Sequence, residues 1–376
     1  MPFKHLKLLL FLAALLLPVV AKAQKPSATP PKTDEQQEPV KIFTEEVRLP
    51  VVAIDQFGHY DPTLEIEDVL VLEDGVAQQI KSIQRLPVNV LLLLDVGNDL
   101  GLKNTNMTRD MALRVLSLVH TGNRFAVMQF AARPELLQTW TDDKEKLGKI
   151  LKTKLQSGKT SRLSDAIAAA AEQFKDTPPG TRHIVLITDG VESPGGRTTL
   201  TNSLKQLNSI QASVHIISYT VLARAQLENR NSVMNKGDGV QRDGNPGSNP
   251  VANGDPTLPP GVSRTPTFRV GSIDLDVAMR RKRKEYERAT RESEARLKDI
   301  AAESGGQIFL PKSNAELAGE PEAVARDIGS QYVVTYRPKR PLAEARPGEY
   351  RHVEVASRRV GLYLRSRRGY VVPNAP

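Results

Sequence analysis

The stretch VNVLLLLDV, residues 88–96, decides how this chain folds. Its apolar residues run almost without interruption, which is typical of a strand buried on both faces of a parallel sheet. The strand ends in a carboxylate, Asp95, and Gly97, Asn98 and Asp99 follow it, residue types that favour turns. Ligands of open α/β sheets lie beyond the carboxyl ends of the strands, so we expect a site at this strand end.

A second strand of the same kind, RHIVLITDG at residues 182–190, ends in Asp189. Segments with helical spacing lie at residues 107–120, 144–155, 163–174 and 199–210. Further strand-like runs lie at residues 124–131, 134–141 and 214–219. Strands that alternate with helices predict an α/β fold with a doubly wound, mostly parallel sheet.

Both flanks of this region carry short β-rich runs with turn signals, such as the Asp-Gly pair of EDG at residues 73–75. We expect the two flanks to pair into one smaller, β-sandwich-like domain. The predicted parts are a signal peptide (1–23), a disordered linker (24–39), the N-terminal part of the β module (40–86), the α/β domain (87–312) with a flexible insertion (223–272), a connecting helix (313–330) and the C-terminal part of the β module (331–373).

The N-terminal segment predicts export. Lys4 and Lys7 precede an apolar run at residues 8–21, which is short for a membrane span, and AKA at residues 21–23 is typical of a cleavage site. We therefore expect a periplasmic or extracellular protein, and an uncleaved anchor is the alternative. The chain has no cysteine, which excludes disulfides and thiolate metal sites.

The chain is basic, with a formal net charge of +9, and the excess is concentrated late, since residues 337–376 hold ten Arg or Lys against three Glu. An exported protein rarely meets nucleic acid, so we expect none as a partner. Anionic envelope surfaces and acidic partner proteins fit this charge. A basic sheet face that is simply solvated explains the same residues.

Four side chains meet at one edge of the sheet if the two acid-tipped strands are neighbours. They are Asp95, Asp99, Asp189 and Thr160, which lies in the loop SGKTSRLSDA at residues 157–166. Oxygen donors of this kind are the ligands that hard divalent cations prefer.

The order of these residues resembles the von Willebrand factor A domain, in which strand–Asp-x-Ser-x-Ser, a loop threonine and strand–Thr-Asp-Gly form a metal-ion-dependent adhesion site. VLITDGVES (185–193) and SGKTSRLSDAI (157–167), including Asp165, match this pattern, whereas LLLLDVGND (91–99) matches only at Asp95. The resemblance implies a site that holds Mg2+ through Asp95, Asp99, Thr160 and Asp189 and leaves one position for an acidic side chain of a partner protein.

The departure from the family pattern lies at the two serine positions. Gly97 supplies no ligand there, a gap that water could fill, and Asp99 brings a full negative charge. Because Mg2+ requires octahedral oxygen ligands at about 2.1 Å, the site is either altered toward Ca2+ or Mn2+, weakened, or retained as a loop without metal. Ordinary turn chemistry explains Gly97 and Asp99 equally well.

The flanks also resemble those of exported bacterial proteins, often acidobacterial, that carry a VWFA-related domain. The matching segments are VVAIDQFGHY (51–60), LEIEDVLVLEDGVAQQI (64–80), AAESGGQIFLP (301–311), QYVVTYRP (331–338) and SRRGYVV (366–372). This second resemblance spans nearly the whole chain beyond the linker.

Enzyme motifs are poorly matched. A phosphatase of the haloacid dehalogenase type needs a second Asp at the position of Gly97, and SGKT at residues 157–160 lacks both the leading Gly and the preceding strand of a P-loop. We expect no enzyme. We expect a protein-binding, adhesion-type module with a degenerate metal site, and the alternative is an envelope scaffold that makes contacts through its basic β domain.

Overall fold

The computed structural model describes residues 46–97, 105–120, 122–175, 177–225, 277–346 and 348–372. The strands are β1 (Val47–Asp55), β2 (Val69–Glu73), β3 (Val76–Ala77), β4 (Gln79–Gln84), β5 (Val88–Asp95), β6 (Arg124–Phe130), β7 (Pro134–Thr141), β8 (Thr181–Thr188), β9 (Ser213–Ser218), β10 (Ile308–Phe309), β11 (Tyr332–Arg337), β12 (Tyr350–Ser357), β13 (Leu362–Ser366) and β14 (Gly369–Val371). The α-helices are α1 (Thr105–Leu118), α2 (Lys144–Lys154), α3 (Leu163–Gln173), α4 (Leu200–Ile210), α5 (Val277–Ser304) and α6 (Asn314–Gly329). Asp99, the predicted signal and linker segments and most of the predicted insertion lie outside the described residues.

The central sheet has six strands in the order β10-β9-β8-β5-β6-β7. All neighbouring pairs are parallel except the antiparallel pair β6–β7 at one edge. Strand β5, the apolar run that ends in Asp95, lies between β8 and β6 in the middle of this sheet. The predicted α/β fold with a mostly parallel sheet is confirmed.

The two faces of the central sheet carry separate cores because side chains alternate along each strand. Leu92 and Leu94 of β5 pack with α1, α2 and α6, whereas Leu91 and Leu93 pack with α3, α4 and α5. All four leucines are buried, and each burial contributes about 1.5–3 kcal/mol to folding. The uninterrupted apolar run therefore reflects a strand that is covered by helices on both sides.

The flanks pair with each other as expected. Strand β1 lies between β11 and β13, β4 pairs with β11, and β2 pairs with β12, all antiparallel. The Asp-Gly pair forms the hairpin turn between β2 and β3, with φ of 47° at Asp74 and 78° at Gly75, a geometry that glycine adopts without strain. We call this unit of two four-stranded sheets the β module.

Helix α6 contains a proline in its interior. The helix runs through Pro321, which is buried on its inner side. Ser313 caps its start by accepting a hydrogen bond from the Glu316 amide, and Leu317 and Val324 pack into the core beside α1. Tertiary packing therefore outweighs the local cost of the proline. No helix of the described part is both long enough and apolar enough to cross a membrane.

Candidate binding site at the carboxyl edge of the sheet

The two acid-tipped strands are direct neighbours. Strands β5 and β8 run in parallel with Leu94 opposite Ile187, so both strands end at the same edge. Asp95 and Asp189 are 1% and 0% exposed, which places both carboxylates inside the protein. The loop that leads from Gly158 to α3 lies against the end of β5, because Gly158 forms a parallel bridge with Gly97.

Asp95 is held by donors from three segments. The Ser161 hydroxyl lies 3.1 Å from both of its carboxylate oxygens, and the Thr188 hydroxyl donates to Oδ2 at 2.6 Å. The Gly97 amide donates to Oδ1 at 3.0 Å. The carboxylate thus ties the first strand to its neighbour and to the loop before α3, which orders the whole edge.

Asp189 is covered by the long helix α5. The Tyr286 hydroxyl donates to Oδ2 at 2.5 Å, and the Val191 amide donates to Oδ1 at 3.1 Å. Two turns further along the helix, the Ser293 hydroxyl donates to the Asp189 carbonyl. Gly190 adopts φ of 65°, and a Cβ there would lie 2.8 Å from a Leu297 methyl, so the close approach of α5 requires a glycine.

A tyrosine after β9 lies beside both acids. Burial raises the pKa of the Tyr219 phenol well above its ordinary value, and the negative charges of Asp95 and Asp189 raise it further. The phenol therefore stays neutral at any physiological pH. Tyr219 and Tyr286 together place aromatic hydroxyl groups next to the two carboxylates.

Gly97 lies close against the loop that carries Thr160 and Ser161. A Cβ at this position would lie 2.7 Å from the carbonyl carbon of Thr160 and 2.8 Å from Cβ of Ser161. Carbon atoms cannot approach this closely, so a serine here would have to push the loop away. The missing family serine is therefore linked to the inward position of the Thr160 backbone.

The loop is fastened from its other side by residues after β8. The Ser161 amide donates to the Ser193 hydroxyl at 2.9 Å, and the Ser193 amide donates to the Ser161 carbonyl at 2.7 Å. Glu192 accepts hydrogen bonds from the amide and the hydroxyl of Ser164 at 2.9 and 2.7 Å. These paired bonds hold the first turn of α3 against the end of β8.

The donors suit a hard cation in type but not in arrangement. Both carboxylates already accept hydrogen bonds from protein hydroxyls, and the Gly97 position has no room for a side chain that could supply a ligand. Within the described ranges, no group of three or more His, Cys, Asp or Glu side chains could hold a metal ion. The described residues do not complete a metal centre, and we derive no chemical step through one.

Three of the four predicted site residues converge at this edge, and Asp99 lies outside the described residues. Asp95 and Asp189 stand at neighbouring strand ends, and Thr160, half-buried, contributes its backbone to the packing against Gly97. Sequence reasoning missed five further contributors, of which only Thr188 had a local signal, as the residue before Asp189. The five are Ser161, Thr188, Ser193, Tyr219 and Tyr286.

Residues 90–192 match the family model of the von Willebrand factor type A domain. The match begins within β5 and ends just after β8, so it includes Asp95, Thr160 and Asp189. None of the curated proteins matches the chain significantly.

Several solved structures are similar to parts of the chain. BatB from Bacteroides thetaiotaomicron is 19% identical over 35% of this chain and 66% of its own, with a TM-score of 0.29. An aerotolerance-related membrane protein from Bacteroides fragilis is 17% identical over 64% of this chain and 98% of its own, with a TM-score of 0.37.

Proximal thread matrix protein 1 from the mussel byssus, described with a zinc-occupied MIDAS motif, is 16% identical over 37% of this chain and 39% of its own, with a TM-score of 0.33. The chain thus spans less than two thirds of the BatB and byssus structures. Domains of this family commonly mediate protein–protein interactions. The family match and the edge geometry lead to one conclusion: residues 90–192 carry a von Willebrand factor type A domain.

Proposed function

We propose that this chain is a protein-binding module of the adhesion type whose binding surface is the carboxyl edge of the central sheet. Of the four residues predicted for this surface, Asp95, Thr160 and Asp189 lie at the edge, and Asp99 lies outside the described residues. The observation that supports it most strongly is the convergence of three segments on Asp95, which accepts from Ser161 and Thr188 as well as from its own loop. Such an edge presents loops on a rigid scaffold, the usual arrangement of binding surfaces.

The rim of this edge suits a partner with acidic side chains. The two carboxylates are buried, so a partner meets the loops around them, where Lys159 and Arg197 are exposed. The backbone amide of Arg197 donates to Asp165 at 2.8 Å, which fixes its loop against the start of α3. Exposed cations on a fixed loop steer and orient an acidic partner.

Divalent cations are expected to bind this edge only weakly. Gly97 offers no hydroxyl, and the Tyr286 hydroxyl occupies one oxygen of Asp189. Calorimetry of the mature protein with Mg2+, Ca2+ and Mn2+ measures this directly, with Asp189→Ala as the control for site-specific heat. Submicromolar binding that Asp189→Ala abolishes would contradict the degenerate character of the site.

The test of partner binding compares edge variants with a matched charge reversal elsewhere. The mature protein, Lys159→Glu/Arg197→Glu and Arg296→Glu are immobilised, exposed to envelope extract, and the captured proteins are quantified. Arg296 is exposed on α5 and forms no ion pair among the described residues, so its reversal changes charge without touching the edge. We expect a defined set of acidic proteins to be lost with the edge variant alone.

Equal capture by all three proteins would overturn the proposal. It would favour the alternative, an envelope scaffold whose contacts are made by the basic β module. We propose no turnover chemistry at this edge.

Export, which we infer from residues 1–23, is tested separately by fractionating cells and sequencing the N-terminus of the mature chain.

A further inference from the structure

A cavity of about 400 Å3 lies at the opposite end of the central sheet, between the β module and the amino end of β8. Its walls include Arg48 and Pro50 of β1, Val333 of β11, the Pro178–Arg182 approach to β8 and the end of α4 at Gln211. We call it the arginine cavity. Its volume lies within the range of about 300–1,000 Å3 that small-molecule sites occupy.

The two arginines that line the cavity have no acidic partner in the described part of the chain. Arg182 donates one hydrogen bond, from Nη1 to the Ile210 carbonyl at 2.8 Å. Arg48 is exposed on β1, and no Asp or Glu stands among the described residues of the cavity wall. Burial lowers the pKa of the Arg182 guanidinium, and no carboxylate offsets that effect.

A third arginine stands behind the wall. Arg367 is 4% exposed, donates from Nη2 to the Gln211 carbonyl, and leaves its buried Nε–H without a hydrogen-bond partner. Burial, together with the positive charge of Arg182, lowers the pKa of this guanidinium to about 10. Arg367 thus lies close enough to feel the charge of Arg182, and Arg182 and Arg48 line the same cavity.

Capping of helix α4 explains only part of this arrangement. Arg182 and Arg367 each place one N–H on a carbonyl at the C-terminal end of α4, where the helix carries a partial charge of about −0.5. That partial charge is smaller than the charge of the three arginines. It explains neither Arg48 nor the unpaired Nε–H of Arg367.

We propose that the arginine cavity binds a compact oxyanion, the phosphate or carboxylate group of a small molecule. Guanidinium groups present a planar fork of N–H donors that matches the oxygens of both groups and forms charge-assisted hydrogen bonds. Arg182 has donors left after its single bond to Ile210, and Arg48 is exposed and able to swing onto the bound anion. This site is independent of the acidic edge.

Calorimetry of the mature protein in a low-salt chloride buffer tests the site with two probes, inorganic phosphate and succinate. We expect saturable 1:1 binding of at least one probe. Arg182→Gln should weaken it by about tenfold or more, and Arg48→Gln by about three- to tenfold, because each removes a charged donor. Arg296→Gln removes the same charge from an exposed position on α5 and should leave the affinity unchanged.

The two probes separate the chemistries, since a phosphate site discriminates against the dicarboxylate and a carboxylate site shows the reverse order. Absence of saturable heat for both probes at about 10 mM would overturn the proposal. Equal weakening by Arg296→Gln and Arg182→Gln would also overturn it, since only overall charge would then matter. Arg48→Gln keeps the test decisive if Arg182→Gln unfolds, because Arg48 is exposed and caps no helix.

Discussion

The two ends of the central sheet hold opposite charges in different ways. At the carboxyl end, Asp95 and Asp189 are buried and accept hydrogen bonds from hydroxyls and backbone amides. Toward the amino end, the buried Asp327 is bound by the Arg365 guanidinium and lies 2.9 Å from Nδ1 of His215. A guanidinium thus neutralises the second kind of acid, whereas neutral hydroxyls orient the first.

This difference separates a structural acid from a candidate binding acid. The pKa of Asp327 is lowered to about 2: burial raises it, but the hydrogen bond and charge of His215 and the charge of Arg365 outweigh burial. His215 continues the network to His183, whose ring nitrogen is 3.0 Å away, and His183 continues it to Thr181. This network joins β8, β9, α6 and the β module, so its role is to hold the parts together.

The largest expected effect is a loss of stability when the network around Asp327 is disrupted. Asp327→Ala leaves Arg365 and His215 in place without their buried acid, and should reduce the free energy of unfolding by about 3–5 kcal/mol. Urea denaturation of the mature protein measures it. Asp299→Ala, at an exposed position on α5, is the matched control. A loss equal to that of the control would show that the ion pair stabilises nothing.

A smaller loss is expected from restoring the family serine at the carboxyl end. Gly97→Ser forces a side chain into the Thr160 and Ser161 backbone region and should destabilise the protein by about 1–3 kcal/mol. Thermal unfolding without added metal measures this cost. Gly319→Ser, at an exposed position of α6 where a Cβ meets no neighbour and φ is not positive, controls for the loss of a glycine. Unchanged stability, together with stronger Mg2+ binding, would show that the loop moves freely.

The pH dependence of stability tests the network of His183, His215 and Asp327. Burial keeps His183 neutral by lowering its pKa well below 6.5, so the unfolded chain binds more protons below that pH. Stability should therefore fall as pH drops below about 6.5, by up to about 1.4 kcal/mol per pH unit. His183→Gln should flatten this slope in urea titrations between about pH 6.5 and 5.

Asp327 acts in a lower pH window. Its folded-state pKa of about 2 lies below the ordinary 3.8, so its contribution is present above about pH 4 and is lost as pH falls toward 2.

The His183 prediction has its own contradicting outcome. If His183→Gln retains the full slope of stability between about pH 6.5 and 5, that slope belongs to another group.

The smallest expected effect on stability concerns the hydroxyl that covers Asp189 at the carboxyl end. Tyr286→Phe removes the hydroxyl that donates to Asp189 and should cost about 0.5–1.5 kcal/mol of stability. It should also strengthen divalent-cation binding at the edge, because the hydroxyl no longer occupies Oδ2 of Asp189. Tyr363→Phe, on an exposed tyrosine of β13, is the control. Weaker cation binding in Tyr286→Phe would mean that the phenol oxygen itself contributes to the cation site.

Local patterns predicted much of the fold. The leucines of β5 indicated a strand covered on both faces, and Asp74-Gly75 indicated its hairpin turn, because each depends on neighbours in sequence. The acidic edge was predicted for the same reason, since Asp95 and Asp189 each directly follow an apolar run.

The remaining features depend on residues that are distant in the chain. Tyr286 lies 97 residues after Asp189, and no spacing rule links the two. Arg48, Arg182 and Arg367 come from three separate parts of the sequence and meet only through the fold. Histidines 183 and 215 belong to different segments of the sequence, and the adjacent parallel strands β8 and β9 bring them together.

The pairing of β4 with β11 has a mechanical consequence. The chain leaves the β module after Gln84 and returns at Val333, directly opposite Gln84 in the sheet. The whole α/β unit is therefore inserted at one point of the β module, and both ends of the described chain, at β1 and β14, belong to that module. We therefore expect a pulling force on those ends to load the antiparallel ladders of β1 and its neighbours before it reaches the six-stranded sheet.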